Sequence, residues 1–258
     1  MLKGSKMNLA LTKYSASGND FVLFHTFTKK DYSKLARELC DRHGGIGADG
    51  LIVLLPHERY DFEWLFYNAD GSEAAMCGNG SRAAAHYAYS FGLAPTKMHF
   101  LTGAGVIQAQ VDEDIVESQL TPYKIIKEAF EEEGLTWWLI DTGVPHLVTI
   151  VEDLKQFDKE LARKMRFKYD ANVNYGIIPR SNEIGVRTYE RGVEDETLAC
   201  GTGMAAMFLR AHKEGLVGTS AKLLPKSGEE LHIRIEDETL YFKGRVQKIF
   251  STYKECEV

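Results

Sequence analysis

Two cysteines in this sequence occur in nearly the same local setting. Cys77 begins the segment Cys77-Gly-Asn-Gly80, and Cys200 begins the segment Cys200-Gly-Thr-Gly203. Each cysteine follows a polar loop that contains a glutamate, and superposing the two loops also aligns Gly92 with Gly215. A repeat of this length is too long for a solenoid unit and is about the size of one domain. The chain is therefore predicted to consist of two related halves, each with one cysteine in the same place.

Good helix formers follow each cysteine loop, in residues 81–91 and 204–214. Both segments are apolar on nearly all sides, which predicts helices buried within their own halves. Each ends at a glycine suited to a left-handed C-cap. The cysteines are thus predicted at helix N-termini, where unpaired N–H groups and the helix dipole favour an anion. Such a position would shift a thiol with a pKa of about 8.5 towards thiolate, and the same N–H groups could hold a carboxylate.

This arrangement favours a catalytic role for the cysteine pair. A single buried cysteine is more often a small apolar residue than a nucleophile, but two copies at two helix starts are hard to explain by packing. If two lobes face each other, one thiol can remove a proton from a stereocentre while the other supplies one to the opposite face. Both helix ends would stabilise the substrate carboxylate as negative charge builds on it. The pattern predicts a two-base racemase or epimerase.

Composition and charge argue against several other classes of protein. The 258 residues, 44% hydrophobic and 26% charged, are ordinary for a globular chain with one large or two moderate domains. A net charge of −6 is unsuited to binding nucleic acid, which needs a basic face. No apolar run approaches the roughly 18 residues of a membrane helix, and the first eight residues contain no signal-peptide core. We therefore expect a cytoplasmic protein.

Metal, nucleotide and disulfide motifs are not found in the sequence. The spacing of Cys40, Cys77, Cys200 and Cys256 fits neither a disulfide scaffold nor CxxC chemistry. The eight histidines show no HExxH or paired spacing, so we expect no metal site. Phosphate-binding GxxxxGK[ST] and dinucleotide-binding GxGxxG patterns are missing as well.

The same order of elements is predicted in both halves. It is strand, turn, strand, helix, two strands, cysteine loop, helix and further strands. In the first half, strands are predicted within residues 9–24, 51–55, 60–67, 98–101 and 106–111, and a helix from its N-cap Asp31 to Cys40. In the second half, strands are predicted within residues 137–151, 172–178, 185–189, 231–235 and 240–243, and a helix over 154–165. The acidic stretch 124–134 is interpreted as an exposed connection between the halves.

Many strands with one buried helix per half predict an α+β fold of two similar lobes around a cleft. We place the N-terminal lobe at residues 7–122, completed by the tail at about 246–258, and the C-terminal lobe at 135–245.

At these residues the sequence resembles the diaminopimelate epimerase family, over nearly its whole length from Gly18 to Gly244. The motifs that carry the resemblance are Gly18-Asn-Asp-Phe21, Gly45-Ile-Gly-Ala-Asp-Gly50, Asn68-Ala-Asp-Gly-Ser-Glu73, Cys77-Gly-Asn-Gly80, Pro145-His146, Asn174, Tyr189-Glu-Arg-Gly192 and Ala199-Cys-Gly-Thr-Gly203. The resemblance implies two pseudo-symmetric lobes, each a curved, mostly antiparallel β-sheet or barrel around a central buried helix, with the active site in the cleft. It also implies an isomerase of lysine and peptidoglycan precursor synthesis that interconverts LL- and meso-2,6-diaminopimelate without pyridoxal phosphate or another cofactor.

The resemblance further implies roles for the residues at matching positions. Cys77 and Cys200 match the two acid/base thiols, labelled by convention proton donor and proton acceptor, and His146 and Glu190 match residues that support proton handling. The matching substrate contacts are Asn19, Asn68, Gly78, Asn79, Asn174, Glu190, Arg191, Gly201 and Thr202. Arginine can bind a carboxylate, glutamate an ammonium group and asparagine either, which suits a substrate with an amino-acid group at each end.

Some of these residues also have simpler interpretations. Asn19 follows a glycine and is a natural turn residue, and His146 could be a core histidine satisfied by the backbone. Glu190 and Arg191 would usually form a solvated pair. Two positions depart from the pattern common in the family. Val144 stands where many members have asparagine, which removes a substrate contact, and Gly50 stands where some have glutamine.

Three other functions remain open at this point. A proline or hydroxyproline racemase of the same fold would use the same cysteines, although Glu190, Arg191 and the asparagines suit a second charged end. A thiol-redox protein could use Cys77 and Cys200 as a reversible pair. A non-catalytic amino-acid-binding protein would hold the same ligand without exchanging its protons. For the epimerase we expect diaminopimelate as the small-molecule substrate and neither nucleic acid nor membrane as a partner, and we leave a homodimer open.

Overall fold

The computed structural model describes residues 6–257 and divides the chain into two compact units. The first unit comprises the chain up to Ser118 together with the segment from Arg245, and the second comprises Gln119–Gly244. The first five residues and Val258 lie outside the described residues. They include part of the segment predicted to lack a signal-peptide core and the last residue of the predicted tail.

The elements follow the order strand, strand, helix, strand, strand, helix and further strands twice. Up to residue 119 they are β1 (Lys6–Ala16), β2 (Asn19–His25), α1 (Ser33–Cys40), β3 (Gly50–Leu55), β4 (Phe62–Asn68), α2 (Gly78–Ser90), β5 (Lys97–Thr102), β6 (Gly105–Asp112) and β7 (Ile115–Gln119). They continue with β8 (Lys124–Glu132), β9 (Leu135–Asp141), β10 (Pro145–Ile150), α3 (Lys159–Tyr169), β11 (Asn172–Arg180), β12 (Glu183–Glu190), β13 (Asp195–Thr197), α4 (Gly201–Lys213), β14 (Ser220–Pro225), β15 (Leu231–Glu236), β16 (Thr239–Arg245) and β17 (Gln247–Glu257).

Strand pairing within each unit repeats the same pattern. In the first unit the strands are ordered β17-β1-β2-β3-β4-β5-β6-β7, with β2–β3 and β4–β5 parallel and the other pairs antiparallel. In the second they are ordered β8-β9-β10-β11-β12-β14-β15-β16, with β10–β11 and β12–β14 parallel and the others antiparallel. Both units therefore have the predicted mostly antiparallel sheet, and the α+β fold class is confirmed.

A buried helix lies at the centre of each unit. Helix α2 contacts strands from both ends of its sheet, including β1, β2 and β6, and its alanines at 83, 84, 85 and 88 are fully buried. These small side chains let the neighbouring strands approach the helix closely. Helix α4 is buried continuously from Gly203 to Ala211 and contacts β9, β10, β11, β12 and β14. The all-round apolar character of the two segments thus predicted their position correctly.

The structure corrects three local predictions. Helix α1 begins one residue later than expected, with Tyr32 as the N-cap residue, while Asp31 accepts a hydrogen bond from Ser33 N at 2.7 Å. The helix predicted over 154–165 is a short 3₁₀ turn at Leu154–Gln156 followed by α3, whose N-cap Asp158 accepts from two backbone N–H groups. The acidic stretch predicted as a connection is strand β8, which pairs with β9. Its side chains are mostly exposed, which explains why its sequence lacks an apolar pattern.

Within the described residues, no helix is long and apolar enough to cross a membrane.

Candidate active site

Cys77 is the N-cap residue of α2. Its backbone is extended, with φ −150° and ψ 118°, and its Sγ accepts a hydrogen bond from Gly80 N at 3.4 Å. The first helical hydrogen bond, from Ser81 N to Cys77 O, is 2.8 Å long. Gly78 and Asn79 therefore occupy the first two helical positions, where backbone N–H groups lack partners inside the helix. The predicted placement of this thiol at the start of a buried helix is confirmed.

A hydrogen-bonded network holds Asn19 against the first turn of α2. Asn79 Nδ2 donates to Asn19 Oδ1 at 2.8 Å, and Asn19 Nδ2 donates to Asp49 Oδ2 at 3.0 Å. The oxygen of the Asn79 amide accepts a hydrogen bond from Arg82 Nη2 at 2.6 Å. Because a carboxylate only accepts, Asp49 fixes the orientation of the Asn19 amide. Asn19 is thus part of this network, and it is the first residue of β2 rather than a turn residue.

The carboxylate next to Asn19 in the chain secures the glycine-rich loop. Arg42 donates from both terminal nitrogens to the two Asp20 oxygens at 3.0 Å, and Lys13 Nζ donates to Asp20 Oδ2 at 2.7 Å. Burial alone would raise the pKa of Asp20, but these two cations lower it to about 2. Asp20 in turn accepts from Asp49 N at 2.9 Å. The cluster of Asp20, Lys13 and Arg42 therefore keeps Asp49 in position to accept the hydrogen bond from Asn19.

Asn68 lies at the exposed end of β4, outside the hydrogen bonds that join Asn19 and Asn79. Its Nδ2 donates to Ser72 Oγ at 3.0 Å, and it pairs with Gly50 across β3 and β4. Gly50 has no room for a side chain, because an added Cβ would lie 2.6 Å from a ring carbon of Phe66. The departure at Gly50 therefore has a local packing explanation in this chain.

Cys200 is the N-cap residue of α4, in the same extended conformation, with φ −128° and ψ 106°. Its Sγ lies 3.5 Å from the hydroxyl of Thr202. Gly201 and Thr202 form the start of the helix, and Thr142 Oγ1 donates to Thr202 O at 2.9 Å. In the repeat, Thr142 and Thr202 correspond to Asn19 and Asn79. In each unit, therefore, a residue at the junction of two antiparallel strands is hydrogen-bonded to the first turn of the cysteine helix.

His146 and Asn174 are fully buried beside the first turn of α4. Asn174 Nδ2 lies 3.0 Å from His146 Nδ1 and donates to Leu147 O at 3.1 Å, while Asn174 Oδ1 accepts from Thr188 Oγ1 at 2.8 Å. A Cβ added to Gly203 would lie 2.2 Å from Asn174 Oδ1 and 3.3 Å from His146 Cε1. Burial, helped by the charge of Arg191, lowers the pKa of His146 to about 3. The imidazole is therefore neutral at pH 7.

Glu190 and Arg191 lie at the end of β12 and in the turn that follows it, and they have different surroundings. Burial raises the pKa of the Glu190 carboxyl, and its charge contributes to a raised pKa at Cys200. Arg191 Nη1 donates to the carbonyl and the carboxylate of Asp170, both at 3.0 Å. Glu190 is thus close enough to Cys200 to raise its pKa. One terminal nitrogen of Arg191 is bound by Asp170 of the same unit.

The predicted shift of the thiols towards thiolate is wrong for this structure. Burial raises the pKa of Cys77, despite the opposing effect of the Gly80 and Asn79 N–H groups. Burial and then the Glu190 carboxylate raise the pKa of Cys200 to about 12. A helix N-terminus stabilises a thiolate, but removing the sulfur from water costs more at both positions.

Several residues that position the site were not anticipated from the sequence. They are Ser17, which accepts from Arg82 Nη2 at 2.8 Å, Asp49, Arg82, Thr142 and Thr188. Arg82 carried a detectable signal, as a charged residue within a helix predicted to be buried, and Asp49 lies within the glycine-rich motif. Ser17, Thr142 and Thr188 are small polar residues whose partners lie far away in the sequence. As for metals, the described residues contain no group of three or more His, Cys, Asp and Glu side chains arranged to hold an ion.

Comparison with solved structures defines the class of fold. A probable proline racemase from Agrobacterium radiobacter superposes with a TM-score of 0.71 at 15% sequence identity, covering 95% of this chain and 92% of that one. Identity this low establishes a shared fold and nothing further.

Sequence comparison then defines the family. The family model for diaminopimelate epimerase matches residues 11–126 and 138–249. A diaminopimelate epimerase from Nitratiruptor sp. is 70% identical over 247 residues, which cover 96% of this chain and 99% of that protein. One from Campylobacter jejuni is 57% identical over 238 residues, covering 92% and 96%. The chain belongs to the diaminopimelate epimerase family.

Proposed function

We propose that the protein is a cofactor-independent isomerase that interconverts LL- and meso-2,6-diaminopimelate, in the synthesis of lysine and peptidoglycan precursors. The observation that carries the proposal is the repeated placement of Cys77 and Cys200 as N-cap residues of two buried helices in a chain of this family. Neither thiol is explained by packing alone, because each sits beside backbone donors that could hold a carboxylate.

The proposed reaction moves one proton off the α-carbon and another onto its opposite face. One thiol first loses its proton to solvent, because both thiols are protonated at pH 7 in this structure. The resulting thiolate removes the α-proton, and the electrons of the broken C–H bond pass towards the carboxylate. The second thiol then donates its proton to the other face, which leaves a thiol and a thiolate with their roles exchanged. Backbone N–H groups at Gly78, Asn79, Gly201 and Thr202 would hold the carboxylate while charge accumulates on it. Cys77 is written as the donor and Cys200 as the acceptor for one direction only.

Recognition of the remaining groups is proposed for the polar residues around each cysteine helix. Asn19, Asn68, Asn174, Glu190 and Arg191 would bind the ammonium and carboxylate groups of the substrate, and His146 with Glu190 would support proton handling. Glu190 and Arg191 provide opposite charges for a second amino-acid end, which proline lacks. This favours diaminopimelate over the proline racemase alternative. Val144 has no polar side chain, so the distal end would depend on the other residues.

Deuterium exchange provides the direct test. With LL-diaminopimelate in D₂O, we expect deuterium at the α-carbon together with formation of the meso isomer. Cys77→Ala and Cys200→Ala should each lower the epimerisation rate by at least about 10²- to 10⁴-fold, because each removes an acid/base group that the reaction needs.

Different outcomes would support the alternatives. A Cys77→Ser/Cys200→Ser double variant with a near-normal rate would refute the two-thiol mechanism. Racemisation of proline without turnover of diaminopimelate would indicate the proline racemase. Activity found only in an oxidised, disulfide-bonded form would indicate the redox protein, and ligand binding without exchange would indicate a binding protein.

Location and assembly belong to the same proposal. We expect a cytoplasmic protein, which cell fractionation can test, and sedimentation velocity can show whether it forms a homodimer.

A further inference from the structure

The amide of Asn174 is hydrogen-bonded through both its oxygen and its nitrogen to neighbours within its own unit. Its oxygen accepts from Thr188 Oγ1, and its nitrogen faces both Leu147 O and His146 Nδ1. Asn174 and His146 have no exposed surface, and Thr188 is 3% exposed. Asn174 and Thr188 are directly opposite each other on the antiparallel strands β11 and β12, so the sheet register itself brings the hydroxyl to the amide oxygen.

The orientation of this amide determines the protonation of His146. A backbone carbonyl only accepts hydrogen bonds, so the group facing Leu147 O must be the NH₂ of Asn174. The same NH₂ faces His146 Nδ1, which must therefore be the acceptor. A neutral imidazole that accepts at Nδ1 carries its proton on Nε2. The Thr188 hydroxyl donates to the amide oxygen in this orientation and so adds a second hydrogen bond that holds the amide.

We infer that Thr188 and Asn174 are positioning residues that hold His146 in the tautomer with the proton on Nε2. His146 is thereby fixed as a hydrogen-bond donor at Nε2 and prevented from accepting a proton there. Nε2 is buried and has no hydrogen-bond partner among the described residues. The neighbouring ring atom Cε1 would lie 3.3 Å from a Cβ on Gly203, in the first turn of α4.

Glycine at position 203 is part of the same arrangement. A Cβ at this position would overlap Asn174 Oδ1 and displace the amide that orients the imidazole. The absence of a side chain there allows the helix turn, the amide and the ring to pack together. Only the effect on catalysis rests on the proposed epimerase function. The tautomer itself does not depend on it.

The tautomer can be measured directly by ¹⁵N NMR of the histidine ring nitrogens in the whole protein. Protonated and unprotonated ring nitrogens resonate far apart, and His146 is assigned by comparison with His146→Gln. We expect an unprotonated Nδ1 and a protonated Nε2 in the wild type and in Thr188→Ser, which keeps the hydroxyl. Thr188→Val keeps the shape but removes the donor, so the Nδ1-protonated form should become detectable. In Asn174→Asp, a carboxylate that can only accept faces Nδ1, and the proton should move to Nδ1.

Kinetics supply the second readout. Thr188→Val should lower the epimerisation rate at least about tenfold, on the order of one lost buried hydrogen bond, and Thr188→Ser should restore most of it. A wild-type ring protonated on Nδ1 would overturn the inference. So would equal tautomer populations in Thr188→Val and Thr188→Ser, whatever their rates. If the tautomers behave as expected and the wild type does not epimerise diaminopimelate, the inference stands and the proposed function fails.

Discussion

Cys77 and Cys200 combine two opposing influences on a thiol. Both accept hydrogen bonds or lie beside donors at a helix start, which favours the thiolate, yet burial raises the pKa of each. At Cys200 the nearby carboxylate of Glu190 adds to the effect of burial. Both thiols are therefore protonated at pH 7 in this structure, and removal of the Glu190 carboxylate should make Cys200 more reactive.

Substitution of Glu190 tests this electrostatic effect on Cys200. Glu190→Gln removes a negative charge that raises the thiol pKa, so a larger fraction of Cys200 is thiolate at any given pH below that pKa. We expect faster alkylation of Cys200 by iodoacetamide at pH 8, followed by mass spectrometry of the peptide. Glu236→Gln, an exposed change in the same unit, is the control and should leave the rate unchanged. Slower or equal alkylation in Glu190→Gln would contradict the assignment.

His146 makes the stability of the protein depend on pH. Its pKa is about 3 in the folded chain and about 6.5 when unfolded. As pH falls below about 6.5, the unfolded chain binds a proton that the folded chain excludes, so the free energy of unfolding decreases by up to about 1.4 kcal/mol per pH unit until about pH 3. Above pH 6.5 the residue has no such effect. Urea unfolding between pH 7 and 5 should show a smaller slope for His146→Gln than for the wild type. Parallel pH profiles would be the contrary result.

At the scale of elements, the two cysteine helices differ in how their first turns are packed. Gly80 and Gly203 occupy equivalent positions in the repeat. A Cβ at Gly80 would meet Cys77 Cβ and Ile52 Cδ1 at 3.3 Å, whereas one at Gly203 would lie 2.2 Å from Asn174 Oδ1. The turn of α4 is therefore packed more tightly, since the polar group facing it is itself held by three hydrogen bonds.

Alanine at these two glycines should have unequal effects. Gly203→Ala should destabilise the protein by roughly 1–3 kcal/mol, as expected for an overpacked site, and should reduce activity by displacing Asn174. At Gly80 the tight contact is offset by the higher helix propensity of alanine, which is worth up to about 1 kcal/mol. Thermal unfolding of the two variants, measured side by side, compares them directly. A Gly80→Ala variant as unstable as Gly203→Ala would show that the packing difference is unimportant.

At the scale of the whole molecule, one unit is assembled from both ends of the chain and the other is continuous. Strand β17 pairs with β1 along nearly its full length, so the carboxyl-terminal segment completes the first unit. The second unit, Gln119–Gly244, has its own apolar clusters around α4 and between α3 and the sheet. A continuous segment with its own core is expected to fold alone.

Fragments of the second unit can test where it begins. We expect residues 119–244 to give a native-like far-UV circular dichroism spectrum and a cooperative thermal transition. Residues 135–244, which begin at the boundary predicted from the sequence, lack β8 and leave the edge of β9 without its partner. That shorter fragment should melt at a lower temperature or aggregate. Equal melting temperatures would show that β8 is dispensable and would favour the boundary at 135.

Features that depend on local patterns could be predicted from the amino-acid sequence. The repeat, the order of elements, the α+β class and the cysteines at helix starts follow from periodicity, helix-forming residues and glycine C-caps. Strand β8 was not predicted, because an exposed edge strand has no buried face and therefore no apolar pattern.

The protonation and orientation of the site residues depend on contacts that form when the chain packs. Thr188 reaches Asn174, and Asp49 reaches Asn19, through the pairing of strands and loops that are distant in the chain. The thiol pKa values depend on how much water the folded unit removes from each sulfur. Desolvation and long-range hydrogen bonds are properties of the packed chain, so no local pattern of residues contains them.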